Sequence, residues 1–346
     1  MSAPAVLGEE ARARRDARPD GDGADSAPTL TFSKLRGADA QKLDELFGVQ
    51  DCLIEINPGR VLLPPDFQQI GERIINLPVH ADDTWLVSYP RTGSTWAQEM
   101  VWCIGNDLNF EGAKQLQQLR CPLLELTAIL THDHGEWMEE LGNSVNLVEN
   151  MPAPRYIKTH LPWELLPIEL KKKKPKIVYV ARNPKDMCVS YYHYCKLVHN
   201  LQGSFEDFCE LFLKDRAPVG PIWNHILGFW KRRHEPNILF LTYEDMKKDQ
   251  EGAIRKTAKF LGKDLSDAEV TELANYLSFN NMRKNPAVNL EPVIDKKNGP
   301  NYMEKNQLFF IRKGEIGDWK NHMSPEIAAK FDVWTEENLK GTGLKF

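Results

Sequence analysis

Four short apolar runs limit what this chain can fold into. They are Thr84–Tyr89 (TWLVSY), Arg155–Ile157 (RYI), Ile177–Ala181 (IVYVA) and Ile238–Thr242 (ILFLT). Stretches of helical pattern lie between and after them, at Thr95–Ile104, Asp186–Val198, Phe205–Leu213, Ile222–His234 and Ala253–Leu261. Strands separated by helices predict an α/β fold, with a central parallel sheet flanked by helices on both faces. Sheets of that kind bind ligands at the carboxyl ends of their strands, so the residues just after each run are where chemistry is sought. No internal repeat and no strong linker interrupts residues 29–346, which read as a single domain. Residues 1–28, rich in Ala, Arg, Asp, Gly and Pro, read as a disordered tail.

Charge and cysteine content narrow the class. The net charge is −5, from 44 Lys+Arg against 49 Asp+Glu, so no whole-molecule basic field favours nucleic acid. No stretch approaches the roughly 18 apolar residues of a membrane span. The N-terminal arginines are interspersed with acids, unlike a transit peptide, and no apolar leader run is present. Six cysteines without a C-x-x-C pair read as buried small residues in a reducing, cytoplasmic compartment.

The first run ends in Tyr89-Pro90-Arg91-Thr92-Gly93-Ser94-Thr95-Trp96, which is a strand, a turn of small residues and a helix start. Gly93 allows a tight turn and a close approach of backbone to an anion. Thr92, Ser94 and Thr95 offer hydroxyls, and Arg91 offers a fixed charge. The first N–H groups of the helix point back at the loop. This is a P-loop-like phosphate-binding strand–loop–helix. It lacks the G-x-x-x-x-G-K-[ST] of nucleoside triphosphatases, so their Mg²⁺ machinery is not implied. The competing reading is an ordinary hydroxyl-capped turn.

Tyr156-Ile157-Lys158-Thr159-His160-Leu161-Pro162 places Lys158 and His160 two residues apart on a strand, with both side chains on one side. A histidine near neutrality suits removal of a proton, and a lysine suits a group gaining negative charge. Val180-Ala181-Arg182-Asn183-Pro184-Lys185-Asp186 again ends a strand in a positive charge, with Ser190 one helical turn further on. Arg182 can clamp a phosphate; its competing reading is a surface ion pair with Asp186. Near the C-terminus, Phe310-Ile311-Arg312-Lys313-Gly314 precedes Gly317-Asp318-Trp319-Lys320.

Taken in order, these strings resemble the cytosolic sulfotransferase family, whose members use the donor PAPS (3'-phosphoadenosine-5'-phosphosulfate). Y-P-R-T-G-S-T-W is similar to the family's 5'-phosphosulfate loop, with Arg91 where the common form has Lys. K-T-H-L-P resembles the K-[ST]-H-L-P whose His is the catalytic base, which implies that role for His160. R-N-P-K-D-x-x-V-S-Y-Y resembles the 3'-phosphate segment, implying Arg182 and Ser190. R-K-G-x-x-G-D-W-K resembles the last signature, implying Arg312, Lys313 and Gly314 for the same phosphate, with Phe310 and Ile311 leading into it. Tyr243, in Y-E-D-M, is implied as a nucleotide contact. Leu277, Ser278, Phe279 and Met282 are implied beside the adenine, with Trp96 and Phe279 sandwiching it. The resemblance spans roughly residues 78–320.

The resemblance implies PAPS-dependent transfer to the hydroxyl of a small lipophilic alcohol or phenol, without a metal. Lys158 and Arg91 would stabilise charge while His160 accepts the proton. Three alternatives stand beside it: a phosphotransferase, a catalytically silent nucleotide-binding protein, and elimination through a sulfated intermediate. The last is suggested by Asn106–Glu111 and the long segment Arg283–Leu308, which resemble the retinol dehydratase-like branch. Arg283–Leu308 itself reads as a long loop serving as a lid. The family's K-x-x-x-T-V-x-x-x-E dimer motif is degraded: Lys320 remains, but Ser324-Pro325 and Ala329 replace Thr-Val and Glu. Lys171–Lys174 reads as a solvated turn, and His132-Asp133-His134 as a surface loop without enough partners for a metal.

Overall fold

The structure is a computed structural model that describes residues 28–130 and 141–346. All of the expected tail but Pro28, and the triplet His132-Asp133-His134, lie outside these residues.

Seven strands occur among the described residues. β1 (Thr31–Lys34), β2 (Ile54–Asn57) and β3 (Val61–Leu63) form an antiparallel sheet. β4 (Thr84–Ser88), β5 (Tyr156–Thr159), β6 (Lys176–Ala181) and β7 (Ile238–Thr242) form the central sheet, all parallel, in the order β5-β4-β6-β7. Every residue of β4 and β5 is buried, as expected where helices cover both faces. Successive side chains serve opposite faces. Trp85, Val87, Ile177 and Tyr179 enter one core, whereas Leu86, Val178, Val180 and Leu239 enter the other.

Strand order reverses at β4, whose two neighbours in the sheet are β5 and β6. At such a switch point the loops leaving adjacent strands part in opposite directions and open a crevice. Helix Ser94–Gly105 follows β4, and helix Pro184–Val198 follows β6. The second helix starts two residues earlier than its apolar pattern predicts. Asn183 caps it by accepting the Lys185 N–H, and Pro184 occupies the first position, where its missing donor costs nothing.

Three parts differ from the sequence reading. The antiparallel sheet is an addition, made of strands too short to show a period. The stretch Arg283–Leu308 is not a featureless loop. It holds helices Glu291–Asn298 and Tyr302–Lys305, anchored by buried Ala287, Val288, Val293, Ile294 and Met303. Lys171–Lys173 close helix Ile168–Lys173, with Lys174 in the left-handed region, so only the end of the run is a turn. Ser324 and Pro325 start helix Pro325–Leu339, where the Ser324 side chain accepts the Ile327 N–H. All six cysteines are free, and five of them are buried.

Candidate active site

The four parallel strands each deliver site residues from their carboxyl ends. β4 runs into the loop Tyr89–Gly93, β5 into His160, β6 into Arg182 and β7 into Tyr243. Two cavities meet over these ends. Arg91, Ser94, Thr95 and Phe310 line both of them.

The first cavity is a cleft above β4, β6 and β7. Of the residues expected to hold a nucleotide, it gathers Arg91, Gly93, Ser94, Thr95, Trp96, Arg182, Ser190, Tyr243, Leu277, Phe279, Met282, Phe310, Ile311, Arg312, Lys313 and Gly314. Two expected residues are not in its wall. Thr92 is fully buried beneath the loop, where its hydroxyl donates to the Tyr89 carbonyl at 3.0 Å. Ser278 immediately precedes helix Phe279–Lys284, between the lining residues Leu277 and Phe279. Lys247, Gln250 and Glu315 also line the cleft, and no motif pointed to them.

Two glycines are required by space as well as by backbone. Gly93 has φ +89, and a Cβ there would lie 2.6 Å from the Tyr243 ring. Gly314 has φ +68, and its Cβ would meet Phe279 at 2.5 Å. Both positions therefore exclude any side chain from the cleft wall. Arg91 also adopts a positive φ, of 69°, an uncommon conformation for a residue with a side chain. Its guanidinium donates to Ser190 Oγ at 3.1 Å and to the Phe310 carbonyl at 2.7 Å. The Tyr194 and Phe310 rings lie within 5.1 and 4.7 Å of it.

The cleft is rich in cationic side chains. Arg182 donates to the carbonyls of Arg91 and Glu315 and does not pair with Asp186, whose oxygens accept the N–H groups of Gly317 and Trp319. This removes the surface ion-pair reading of Arg182. The buried Nε atoms of Arg182 and Arg312 have no partner among the described residues. Buried donors left unmatched are rare, and here they belong to two guanidinium groups facing one cleft. Asp318 holds Arg312 and Lys313 at 2.5 and 2.6 Å, which keeps both cations at the rim. Burial beside Arg182 and Arg312 pushes the Arg91 guanidinium down to about 10.

The second cavity, of about 610 Å³, opens on the other side of Arg91 and is lined by Lys158 and His160. Its remaining walls are mostly apolar and include residues from Phe47–Leu53, Leu123–Leu130 and Ala287–Ile294. The stretch read as a lid thus contributes one wall of this cavity. Residues 106–111 line neither cavity.

The ring of His160 is oriented by its neighbours. Its Nδ1 lies 2.7 Å from the Ser88 carbonyl, which can only accept, so Nδ1 carries the proton and Nε2 keeps its lone pair. Burial, then the Lys158 charge, hold its pKa well below the ordinary histidine range. The imidazole is therefore neutral at pH 7. Burial likewise pushes the Lys158 ammonium down to about 8.

Three residues behind His160 escaped the sequence reading. His225 donates from Nε2 to the His160 carbonyl at 3.0 Å, with its Nδ1 accepting from Tyr179 at 2.8 Å. Ser88 supplies the carbonyl noted above. Glu125 accepts the His160 N–H at 2.6 Å and the Thr159 hydroxyl at 2.8 Å. The only signal for Glu125 was a lone acid inside the apolar string PLLELTAIL.

Burial raises the Glu125 carboxyl from 4.5 to about 7. An acid whose folded pKa is raised contributes stability that is present below pH 4.5 and lost as pH rises through about 7. Glu125→Gln, neutral throughout, is expected to abolish that part of the pH dependence. Thermal unfolding of both proteins across the range checks it; parallel curves would contradict it.

The fold is that of an α/β protein with a cleft lined by arginine and lysine side chains at its sheet switch point. Comparison with known proteins makes this specific. A family model described as the sulfotransferase domain matches residues 81–343. Luciferin sulfotransferase of Photinus pyralis is 40% identical over 287 residues, covering 81% of this chain and 77% of that protein. Amine sulfotransferase of Oryctolagus cuniculus is 37% identical, covering 80% and 87%. A crystal structure of retinol dehydratase with retinol and PAP superposes with a TM-score of 0.84 at 30% identity, covering 93% of this chain and all of that one. The chain belongs to the sulfotransferase family and is a sulfotransferase.

Proposed function

We propose that the chain transfers a sulfuryl group from PAPS to the hydroxyl of a lipophilic small molecule. The observation that carries this reading is the meeting of the two cavities at Arg91, Ser94 and Thr95. One is rimmed by Arg182, Arg312 and Lys313, and the other is apolar with a neutral imidazole in its wall. PAP bound to similar structures supports a donor of that chemistry.

In this reading the 3'-phosphate is held by Arg182, Ser190, Arg312 and the backbone at Gly314. The 5'-phosphosulfate sits on the loop Arg91–Thr95, against the positive end of helix Ser94–Gly105. Trp96 and Phe279 flank the adenine. An acceptor hydroxyl in the apolar cavity gives its proton to His160 Nε2 as its oxygen bonds to sulfur. The S–O bond to the donor's phosphate breaks, and PAP leaves with the electron pair. Lys158 and Arg91 stabilise charge on the transferring group and on the departing oxygen.

The active form needs Lys158 charged and His160 neutral. With Lys158 at about 8, kcat/KM is expected to fall by about tenfold per pH unit above that value. Lys158→Arg should move this alkaline limb beyond the measured range. A limb that stays in place would assign it to another group.

Two neighbours contain retinol dehydratase bound to PAP with retinol or androsterone, at TM-scores of 0.84 and 0.83. A cavity of about 610 Å³ accommodates molecules of that size. Mass analysis of products from PAPS with androsterone and with retinol tests the proposal. A sulfate ester of either supports transfer, and a dehydrated retinoid supports elimination on the same machinery. Neither product, from a chain that binds PAP, would contradict the acceptor class.

A further inference from the structure

The aromatic end of the first cavity carries two polar side chains that none of the steps above uses, Lys247 and Gln250. Lys247 lies one helical turn beyond Tyr243, in helix Tyr243–Lys248, with its ammonium 5.9 Å from the centre of the Trp96 ring. Gln250 opens the next helix, Gln250–Leu261, which packs against helix Ser94–Gly105. Its side chain is tied to helix Asp267–Tyr276, the one that runs into Leu277: Nε2 donates to the Ala274 carbonyl at 3.1 Å. Trp96, Lys247, Gln250 and Leu277 thus belong to one region of the wall.

The Gln250 amide has a fixed sense. A carbonyl only accepts, so Nε2 must face Ala274, and a flipped amide would set two oxygens against each other. Oε1 is left over. It has no partner among the described residues, and it is not one of the unmatched atoms closed off by burial. The residue itself is partly buried and lines the cleft. Its neighbours there offer no competing side-chain oxygen. Trp96 and Lys247 only donate, and the side chains of Leu277, Phe279 and Met282 hold neither nitrogen nor oxygen. Gln250 Oε1 is therefore an open acceptor, preset in orientation, at an end of the cleft that is otherwise apolar or donating.

We propose that Gln250 selects the base of the donor, by accepting a hydrogen bond from the exocyclic 6-amino group of adenine. Stacking between Trp96 and Phe279 does not distinguish bases, because every base has a π-face. A contact to the base edge does. At its 6-position adenine presents an N–H, whereas hypoxanthine and guanine present an oxygen. Against Gln250 Oε1 that oxygen would leave two acceptors with no proton between them. The inference rests on the reading of this cleft as the donor site, with the base between Trp96 and Phe279.

The test is titration of the full chain with PAP and with three relatives altered only in the base: the 3',5'-bisphosphates of inosine, of purine riboside and of 6-dimethylaminopurine riboside. The last two have no N–H at the 6-position and are expected to bind on the order of ten-fold more weakly than PAP. The inosine analogue should bind more weakly still. Gln250→Leu should bring PAP down to the level of the purine riboside analogue while leaving that analogue's affinity unchanged. Gln250→Lys, a donor in place of an acceptor, should favour the inosine analogue over PAP. Lys247→Met should keep the preference for PAP, because an ammonium cannot accept from the amine. Equal affinities for all four compounds in the unmodified chain overturn the proposal and leave the donor reading intact. So does a preference for PAP that survives both Gln250 substitutions, or one that Lys247→Met removes. Binding of none of the four to folded protein overturns the donor reading, and the proposal with it.

Discussion

Replacing His160 by Ala is expected to lower kcat by about 10²–10⁴-fold while changing PAP affinity little. The asymmetry follows from geometry. His160 lines the apolar cavity and is absent from the wall of the anion cleft. Its Nδ1 proton is committed to Ser88, so the only basic atom is Nε2, and burial keeps that atom unprotonated. Removing the ring takes away the proton acceptor without touching Arg182, Arg312 or the loop at Gly93. Pre-steady-state and steady-state turnover, with PAP titration of the same variant, check both halves. A variant that loses PAP binding in step with turnover would place His160 in the donor site instead.

Arg182→Ala is expected to weaken PAP by on the order of 10²–10³-fold, the usual cost of removing one member of a buried charged pair. Three observations make this the largest expected binding effect. Arg182 is mostly buried at the end of β6, its guanidinium stacks 4.2 Å over the Tyr243 ring, and its Nε has no partner among the described residues. Truncation also frees the carbonyls of Arg91 and Glu315, loosening both the phosphate loop and the strap beyond Gly314. Arg182→Lys should recover only part of the affinity, because a point charge lacks the planar fork. Titration with PAP settles the size of the effect. An affinity within about threefold of the unmodified chain would remove Arg182 from the site.

Much of this architecture was legible because the central strands are covered on both faces. Burial on two sides forces apolar runs such as IVYVA and ILFLT, and such runs stand out in a sequence. The strand-end rule then pointed to Arg91, His160 and Arg182, which are three side chains brought to one place by the parallel order alone. Short antiparallel strands carry no comparable signal, so β1–β3 were invisible. The stretch Arg283–Leu308 misled because its buried residues are scattered among polar ones, and a helix of eight residues shows little more than two turns.

The positions of single residues within these strings were less legible. Thr92 and Ser278 sit in strings that surround the cleft, but a string does not state which member faces inward. The Thr92 side chain turns under the loop to the Tyr89 carbonyl, and Ser278 stands just before helix Phe279–Lys284 without capping it through its side chain. Glu125 is the converse case. It holds the His160 backbone from 35 positions away, through a pairing of Leu123 with Lys158 that only the folded chain reveals.

The most direct test of the account is isothermal titration of the full chain with PAP, run beside 5'-AMP and ATP. The cleft should bind PAP tightly, because Arg182, Arg312 and Lys313 converge where a 3'-phosphate would sit. It should bind 5'-AMP at least about a hundredfold more weakly and ATP negligibly. Equal affinity for PAP and 5'-AMP, or no binding of PAP to folded protein, would contradict the account at its centre.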